Sequence, residues 1–446
     1  MTQPTATYSH RRIVFVAFIV MTAIIAWLVR HAYHILNTDK TSTGDLNALW
    51  FITFVALAYN GIIALLERPR KVTTSQQARL DKLNVAILVP AYNEDLALLK
   101  NCLISILIQT RKPQTVCVTN DGSDKVDYTI LRRNAEATYA KYGIKLVWND
   151  TPNHGKRHAQ MVGVDHTPDA DIYITVDSDT ILDRHAIEEG LKPFADPAVQ
   201  SVAGIVLPLN MDKNLLTRVS GVWEINSQLI DRNGQSLFDS VMVNSGCLAL
   251  YNAYILRKYE DAYLNEEFFG VPVKFSDDSL LTTYALQHGK TVQQATAISF
   301  SSTPEKVSHH IRRYNRWMRG SFIRTWWRFK YLDMQSYAYW LHMFKWFQTL
   351  LSVYVFWFLL FSGAYTNGDI LPYLIAIPAL IAYLQSLATL TVRRSDQSFS
   401  QQLIDFAISP LTVVWSMSVL RICRWYSYAT CKKTGWGTRK KVEVGL

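Results

Sequence analysis

At 446 residues, with 49% apolar and only 18% charged positions, the chain exceeds one ordinary domain and is too apolar to be spread evenly over a water-facing surface. Its net charge of +10 invites a nucleic-acid reading, but the cations gather at the edges of apolar runs and around one aromatic segment, which argues against it. Five cysteines, at 102, 117, 247, 423 and 431, form no C-x-x-C pair, and disulfides are not expected if the central part lies in a reducing compartment.

In chain order, Ile13 to Val29 and Leu46 to Leu66 are apolar runs near the roughly 20 residues that cross a hydrocarbon core. No small-residue cleavage site follows the first before Arg30, so it reads as a retained anchor rather than a signal peptide. Arg11 and Arg12 precede it, Arg68, Arg70 and Lys71 follow the second, and the loop between has Asp39, Lys40 and Asp45. The positive-inside rule then puts the N-terminus and the central region in the cytoplasm.

Residues 83 to 305 carry no such run. Val85-Ala86-Ile87-Leu88-Val89, ending at Pro90, reads as a buried strand, and Leu96 to Ile108 shows helical spacing. The alternation continues with a strand at Thr115 to Thr119, a helix from about Val126 to Tyr142, and strands at Lys145 to Trp148 and Ile172 to Val176. It predicts an α/β fold with a doubly wound, mostly parallel sheet, which binds ligands outside the carboxyl ends of its strands. Tyr92 and Glu94, Asp121, and Asp177 with Asp179 all fall at such ends. Neither a G-x-G-x-x-G turn nor a Walker loop is present, against a dinucleotide cofactor or ATP hydrolysis.

Beyond residue 335 come three further apolar runs, Trp340 to Phe361, Leu371 to Leu390 and Phe406 to Leu420. Three full crossings would put Arg421, Arg424, Lys432, Lys433, Arg439, Lys440 and Lys441 outside, against the charge rule. The last run, preceded by Asp405 and broken by Pro410, is therefore expected to be re-entrant or interfacial.

Asp177-Ser178-Asp179 can hold a hard divalent cation against a diphosphate; the same triplet also serves as a solvated turn and N-cap, but its place after a buried strand, level with Asp121, favours the metal. In His154-Gly155-Lys156-Arg157 the glycine allows close backbone approach and the two cations can neutralise phosphate oxygens, a surface charge cluster being the plainer reading. Asp277-Asp278 precedes the helical Leu280 to Gln287, so one carboxylate can cap and the other accept a proton, Asp278 being the expected base. Arg312, Arg313, Arg316, Trp317 and Arg319 fit an interfacial amphipathic helix that also offers Trp317 to a sugar and Arg316 to a diphosphate.

These segments resemble the membrane-integrated, processive family 2 glycosyltransferases, and the hyaluronan synthases among them, over about the whole chain. The resemblance rests on Val89-Pro90-Ala91-Tyr92-Asn93-Glu94, Asn120-Asp121-Gly122-Ser123, Lys156, Asp177-Ser178-Asp179, Asn244-Ser245-Gly246-Cys247-Leu248, Ser276-Asp277-Asp278-Ser279, Arg313-Tyr314-Asn315-Arg316-Trp317, and the C-terminal Ser409-Pro410-Leu411 and Trp436-Gly437-Thr438-Arg439. It implies a GT-A type domain in which Pro90, Ala91, Tyr92, Glu94, Asp121, Lys156, Arg157, Asp177, Ser245, Gly246, Cys247 and Asp277 bind substrate. Asp179 would hold Mg2+ or Mn2+, and Asp278, Arg316 and Trp317 would be catalytic. The chain departs from the family pattern at Ser276 and Ser279, where Gly and Arg are usual, at Arg313, where Gln is usual, and at Cys247, where Pro is common.

The organisation implied is two membrane helices in 1–71, a cytoplasmic GT-A domain in 72–305, interfacial helices in 306–338, a channel of transmembrane and re-entrant helices in 339–425, and a basic cytoplasmic tail in 426–446. The expected activity is inverting polymerisation of UDP-GlcNAc and UDP-GlcA into hyaluronan at the cell membrane, the partners being those sugars, the growing polysaccharide and the lipid bilayer, without nucleic acid or an obligate protein partner. Three alternatives stay open: a chitin-like product from UDP-GlcNAc alone, transfer of one sugar to a lipid carrier, and a non-catalytic transporter or scaffold that only binds nucleotide sugars.

Overall fold

The computed structural model describes residues 3–9, 12–38, 62–361, 366 and 368–434. Most of the expected span Leu46 to Leu66 lies outside them, as do Arg11, Asp39, Lys40, Asp45 and the segment Trp436 to Arg439.

Strand β1 (Ala6–Tyr8) precedes helix α1 (Arg12–Thr38). The first apolar run of the central region becomes β2 (Val85–Ala91), all of it buried, as expected of a strand covered on both faces. Alternate side chains divide the core: Val85, Ile87 and Val89 pack with Leu99, Leu103 and Ile106 of α2 (Leu96–Leu107), whereas Ala86 and Leu88 pack with Met161, Leu280 and Leu281 on the other face. Asp95 caps α2, its carboxylate accepting from the backbone N–H of Ala97 at 2.8 Å and Leu98 at 3.2 Å.

Parallel to β2 run β3 (Thr115–Asp121) with β4 (Lys145–Thr151) beyond it, and on the other side β5 (Ile172–Thr175). Between β3 and β4 lies α3 (Thr129–Lys141), and between β4 and β5 lies α4 (Lys156–Asp165). The sheet is completed by β6 (Ile181–Leu182), β7 (Val199–Pro208), β8 (Ala249–Asn252) and, after the short hairpin β9 (Glu267–Phe268) and β10 (Val271–Pro272), by β11 (Lys290–Ser301). The order is β4-β3-β2-β5-β8-β7-β11-β6, with β8 antiparallel to both neighbours, β7 and β11 parallel, and β6 antiparallel at the edge. The carboxyl ends of β2, β3 and β5 therefore open on one side, where Tyr92 and Asp177 follow their strands and Asp121 ends β3.

Outside the sheet stand α5 (Leu215–Asn226), α6 (Asp277–Leu286) and the long α7 (Val307–Tyr331). Next come α8 (Tyr337–Phe361), which covers the expected span from Trp340, and α9 (Leu371–Ser386). Residues Arg12–Ala32 and Leu371–Thr391 are long and apolar enough to cross a membrane. They pack on each other through Val14, Phe18, Ile25, Ile377 and Leu384, while Ile13, Val16, Ile19 and Trp27 stay exposed, an apolar surface suited to lipid. At Ser409-Pro410 the chain bends by 47° between α10 (Phe399–Ala407) and the helical stretch that begins with α11 (Pro410–Trp415) and ends with α12 (Arg421–Ala429), so the last apolar run is broken. β12 (Val392–Arg394), between α9 and α10, pairs with β1.

One buried carboxylate joins the sheet domain to α7. Glu266, just before β9, accepts from Arg157 Nη2 at 2.7 Å, Arg324 Nη2 at 2.6 Å and Trp327 Nε1 at 2.7 Å. Gly320 lets α7 cross the turn before α6, because a Cβ there would lie 2.2 Å from Ser276 Oγ. Replacing Glu266 by Gln leaves two buried guanidiniums without an anion and is expected to destabilise the protein by about 3–5 kcal/mol. Glu136→Gln, which breaks an exposed pair with Arg132, is expected to cost about 0–1 kcal/mol. Thermal unfolding of both variants in detergent checks this; equal melting temperatures would contradict it.

Candidate active site

The strand ends open into a cavity of about 1420 Å³, with α7 forming part of its wall. Pro90, Tyr92 and Glu94 line it, while Ala91 is buried beneath them as the last residue of β2. Ser178 Oγ donates to Glu94 Oε2 at 2.8 Å, tying the first motif to the third. Asp121, expected to contact the nucleotide, is the buried last residue of β3. It stands outside the cavity lining and its carboxylate accepts from the backbone N–H of His154 and Gly155, 2.9 Å each, which fixes the turn into α4. Gly155, at φ 96°, makes that turn in a conformation that other residues rarely adopt.

Lys156 opens α4 and is 8% exposed. Its Nζ bridges Asp177 Oδ1 at 2.7 Å and Asp277 Oδ2 at 2.9 Å. Burial opposes the charge on Lys156, but the two carboxylates outweigh it and hold the ammonium protonated. Arg157, expected beside it on phosphate, points elsewhere: it is 6% exposed, pairs with Glu266 and donates to the carbonyls of Tyr263 and Phe275. Successive residues of a helix face about 100° apart, so only one of the two can reach the cleft.

Ser245, Gly246 and Cys247 line the cavity opposite Lys156. A Cβ on Gly246 would stand 3.0 Å from Lys156 Nζ and 3.4 Å from both Asp177 carboxylate oxygens, so a larger residue here would press on the lysine and make it give way. Cys247 Sγ lies 3.6 Å from Asp177 Oδ2, and burial, then the charges of Asp177 and Asp179, push its thiol well above the usual range, which makes it a neutral lining group rather than a nucleophile.

Asp277 and Asp278 occupy the first turn of α6, after Ser276 in a left-handed conformation at φ 62°. Their environments push them apart. Burial works against ionised Asp277, but Lys156 outweighs it and holds the carboxyl below its ordinary range. Asp278 forms no ion pair among the described residues; burial and then the charge of Asp277, against a smaller opposing effect of Lys156, push it up to about 6, the range of a base that works near neutrality.

Burial, then Asp177 and Glu94, push Asp179 up to about 7. Among the described residues no group of three His, Cys, Asp or Glu side chains forms a metal cage. A hard cation at Asp179 would take the remainder of its oxygens from its ligand, which is how Mg2+ is commonly bound beside phosphates, and the carboxylate-rich donor set fits that role.

From α7, Arg313, Arg316 and Trp317 line the wall. Arg313 forms an ion pair with Glu224 of α5, and its guanidinium lies 4.5 Å from the centre of the Trp317 ring, covering one face of a side chain that is otherwise 38% exposed. Sequence patterns missed Glu224, Arg232 and Glu266: each acts across more than forty residues or at the end of an irregular helical turn, and no local spacing marks it.

The model of the family described as Glycosyl transferase family 2 matches residues 86–260. A hyaluronan synthase of Streptococcus pyogenes is 30% identical over 97% of this chain and 98% of its own. An N-acetylglucosaminyltransferase of Azorhizobium caulinodans is 29% identical over 54% of this chain and 60% of its own. The solved mannosyltransferase of Pyrobaculum calidifontis, in complex with GDP-Man and Mn2+, is 17% identical, covers 88% of this chain and 98% of its own with a TM-score of 0.50, and shares the fold.

Gly246→Ala is expected to move Lys156 off Asp177 and to weaken binding of a nucleoside diphosphate by about tenfold, ~1.4 kcal/mol. Calorimetric titration of the purified protein with UDP measures it, and an unchanged affinity would show that the close approach is not needed for the ligand.

Proposed function

The chain belongs to glycosyl transferase family 2 and is a hexosyltransferase, and we propose that it polymerises UDP-GlcNAc and UDP-GlcA into hyaluronan. The observation that carries this reading is one cavity holding a carboxylate suited to be a base, Asp278, the Lys156 bridge between Asp177 and Asp277, and the half-open ring of Trp317.

In this reading the terminal sugar of the chain stacks on the free face of Trp317 with one hydroxyl toward Asp278. The Asp278 carboxylate takes the hydroxyl proton as the oxygen attacks the anomeric carbon of the donor, the bond to the diphosphate breaks, and the configuration inverts. No second carboxylate is required to activate water, as it is in an inverting glycosidase. Lys156 and Arg316 face the diphosphate as its charge develops. A divalent cation, Mg2+ or Mn2+, bound at Asp179 would supply further neutralisation of that leaving group. The proposed arrangement puts residues 72–305 in the cytoplasm and has the polymer leave between the membrane helices; the apolar Arg12–Ala32 and Leu371–Thr391 support it.

Two outcomes are expected. Because Asp278 must be ionised to accept the proton, turnover at saturating substrate falls as pH drops through about 6 and is flat above it. Asp278→Asn loses about 100-fold to 10,000-fold in turnover and retains UDP binding, measured by incorporation and by titration. Full activity in that variant would remove the base assignment.

The decisive measurement is radiolabel incorporation into high-mass product by purified protein given UDP-GlcNAc, UDP-GlcA or both, with Mg2+ or Mn2+. Hyaluronidase-sensitive polymer appears only with both. Polymer from UDP-GlcNAc alone would instead establish a chitin-like synthase.

A further inference from the structure

Several cations in the cavity wall are already matched by carboxylates. Lys156 bridges Asp177 and Asp277, Arg313 pairs with Glu224, and Lys345 lies 3.4 Å from Asp231. Two guanidiniums on the Asp278 side are not. Arg232 ends the π-helical turn Ser227–Arg232 that continues α5, lines the cavity, and its side chain makes no ion pair or hydrogen bond among the described residues. Arg328 of α7 also lines it, is 5% exposed, and donates from Nη2 to the Met242 carbonyl while its Nε has no partner.

Both groups sense the charge of Asp278, and burial lowers Arg232 to about 10 and Arg328 to about 9, so both remain charged at neutral pH. Half-buried and buried cations that no carboxylate contacts directly are costly, and π-turns set into helices recur where a ligand binds. The diphosphate is not that anion if it lies against Lys156 and Arg316. A second negative group therefore belongs beside the base.

We infer that Arg232, supported by Arg328, binds the carboxylate of a uronosyl residue at the end of the growing chain and so selects an acidic acceptor for the addition of GlcNAc. This rests on the polymerase reading above. In a uronic acid the carboxylate is on the ring carbon next to the one bearing the 4-hydroxyl, so a sugar that presents this hydroxyl to Asp278 brings its own carboxylate to the same place. Arg232 separates the two like charges and fixes which hydroxyl faces the base. Arg232 is in this sense a specificity residue for one of two alternating steps, and the addition of a uronosyl residue to a GlcNAc end does not use it.

The test uses full-length wild type, Arg232→Gln and Arg232→Lys in lipid, supplied with both UDP-sugars, and analyses the terminal sugar of the chains still held by the enzyme. Arg232→Gln is expected to slow GlcNAc addition by about tenfold or more and so to enrich uronate-ended chains by a similar factor, with UDP affinity unchanged within about twofold. Arg232→Lys, which keeps the charge, is expected to recover part of the rate and of the end-group balance. End groups equal to wild type, enrichment of GlcNAc ends, a UDP affinity weakened in step with turnover, or two equally inactive variants would each overturn the assignment. If wild type itself makes no uronate-containing polymer, the polymerase reading fails first, and the two failures are told apart by that control.

Discussion

Burial of Glu266 between Arg157, Arg324 and Trp327 makes the two sides of the cavity one mechanical unit. Arg157 follows Lys156 on α4, and Arg324 lies seven residues, or about 10 Å of helix, beyond Trp317 on α7. The lysine that orders the acidic cleft and the tryptophan that faces it thus take their positions from the same carboxylate. Against a well-packed apolar substitute such a cluster yields little net stability. Its effect is on register, since a carboxylate shared by two forks and an indole N–H accepts few other geometries. Gly320 completes this constraint by letting α7 lie directly on the Ser276 turn that begins the Asp277-Asp278 helix.

Within that frame the cleft is ordered by unequal sharing of one cation. Glu94, Asp177, Asp179, Asp277 and Asp278 all reach the same space, and Lys156 is the ammonium bridging two of them. Asp177 and Asp277 are paired by it. Asp179 and Asp278 are left with the charge of their neighbours and move toward neutrality. Two adjacent carboxylates on one helical turn thereby acquire different chemistry from their surroundings alone: Asp277 anchors Lys156, and Asp278 remains available to a proton.

The alternation of strands and helices was legible because it rests on local patterns. Val85 to Val89 is continuous and apolar, as a strand buried on both faces must be, and Tyr92, Glu94 and Asp177 are at the cavity because chain order at strand ends dictates it. What was not legible depends on direction and on long-range partners. Lys156 and Arg157 look equivalent as a basic pair, yet helical rotation sends one to the cleft and the other to Glu266. Asp121 reads as a residue at a strand end, and spacing does not show that its oxygens also hold two backbone N–H groups of the next loop. Arg313 replaces an expected Gln, and only the fold supplies its partner Glu224, a distant residue on α5.

The size and direction of the cavity bear on what kind of acceptor it suits. Small-molecule sites commonly enclose about 300–1,000 Å³, and about 1420 Å³ leaves room beyond one nucleotide sugar. The lining of the cavity also includes His342, Lys345 and Trp346 of α8 and Arg424 and Tyr428 of α12, residues that polar groups of a sugar can hydrogen-bond or stack against. The lining is thus shared between the strand ends of the sheet domain and the helices that stand outside it.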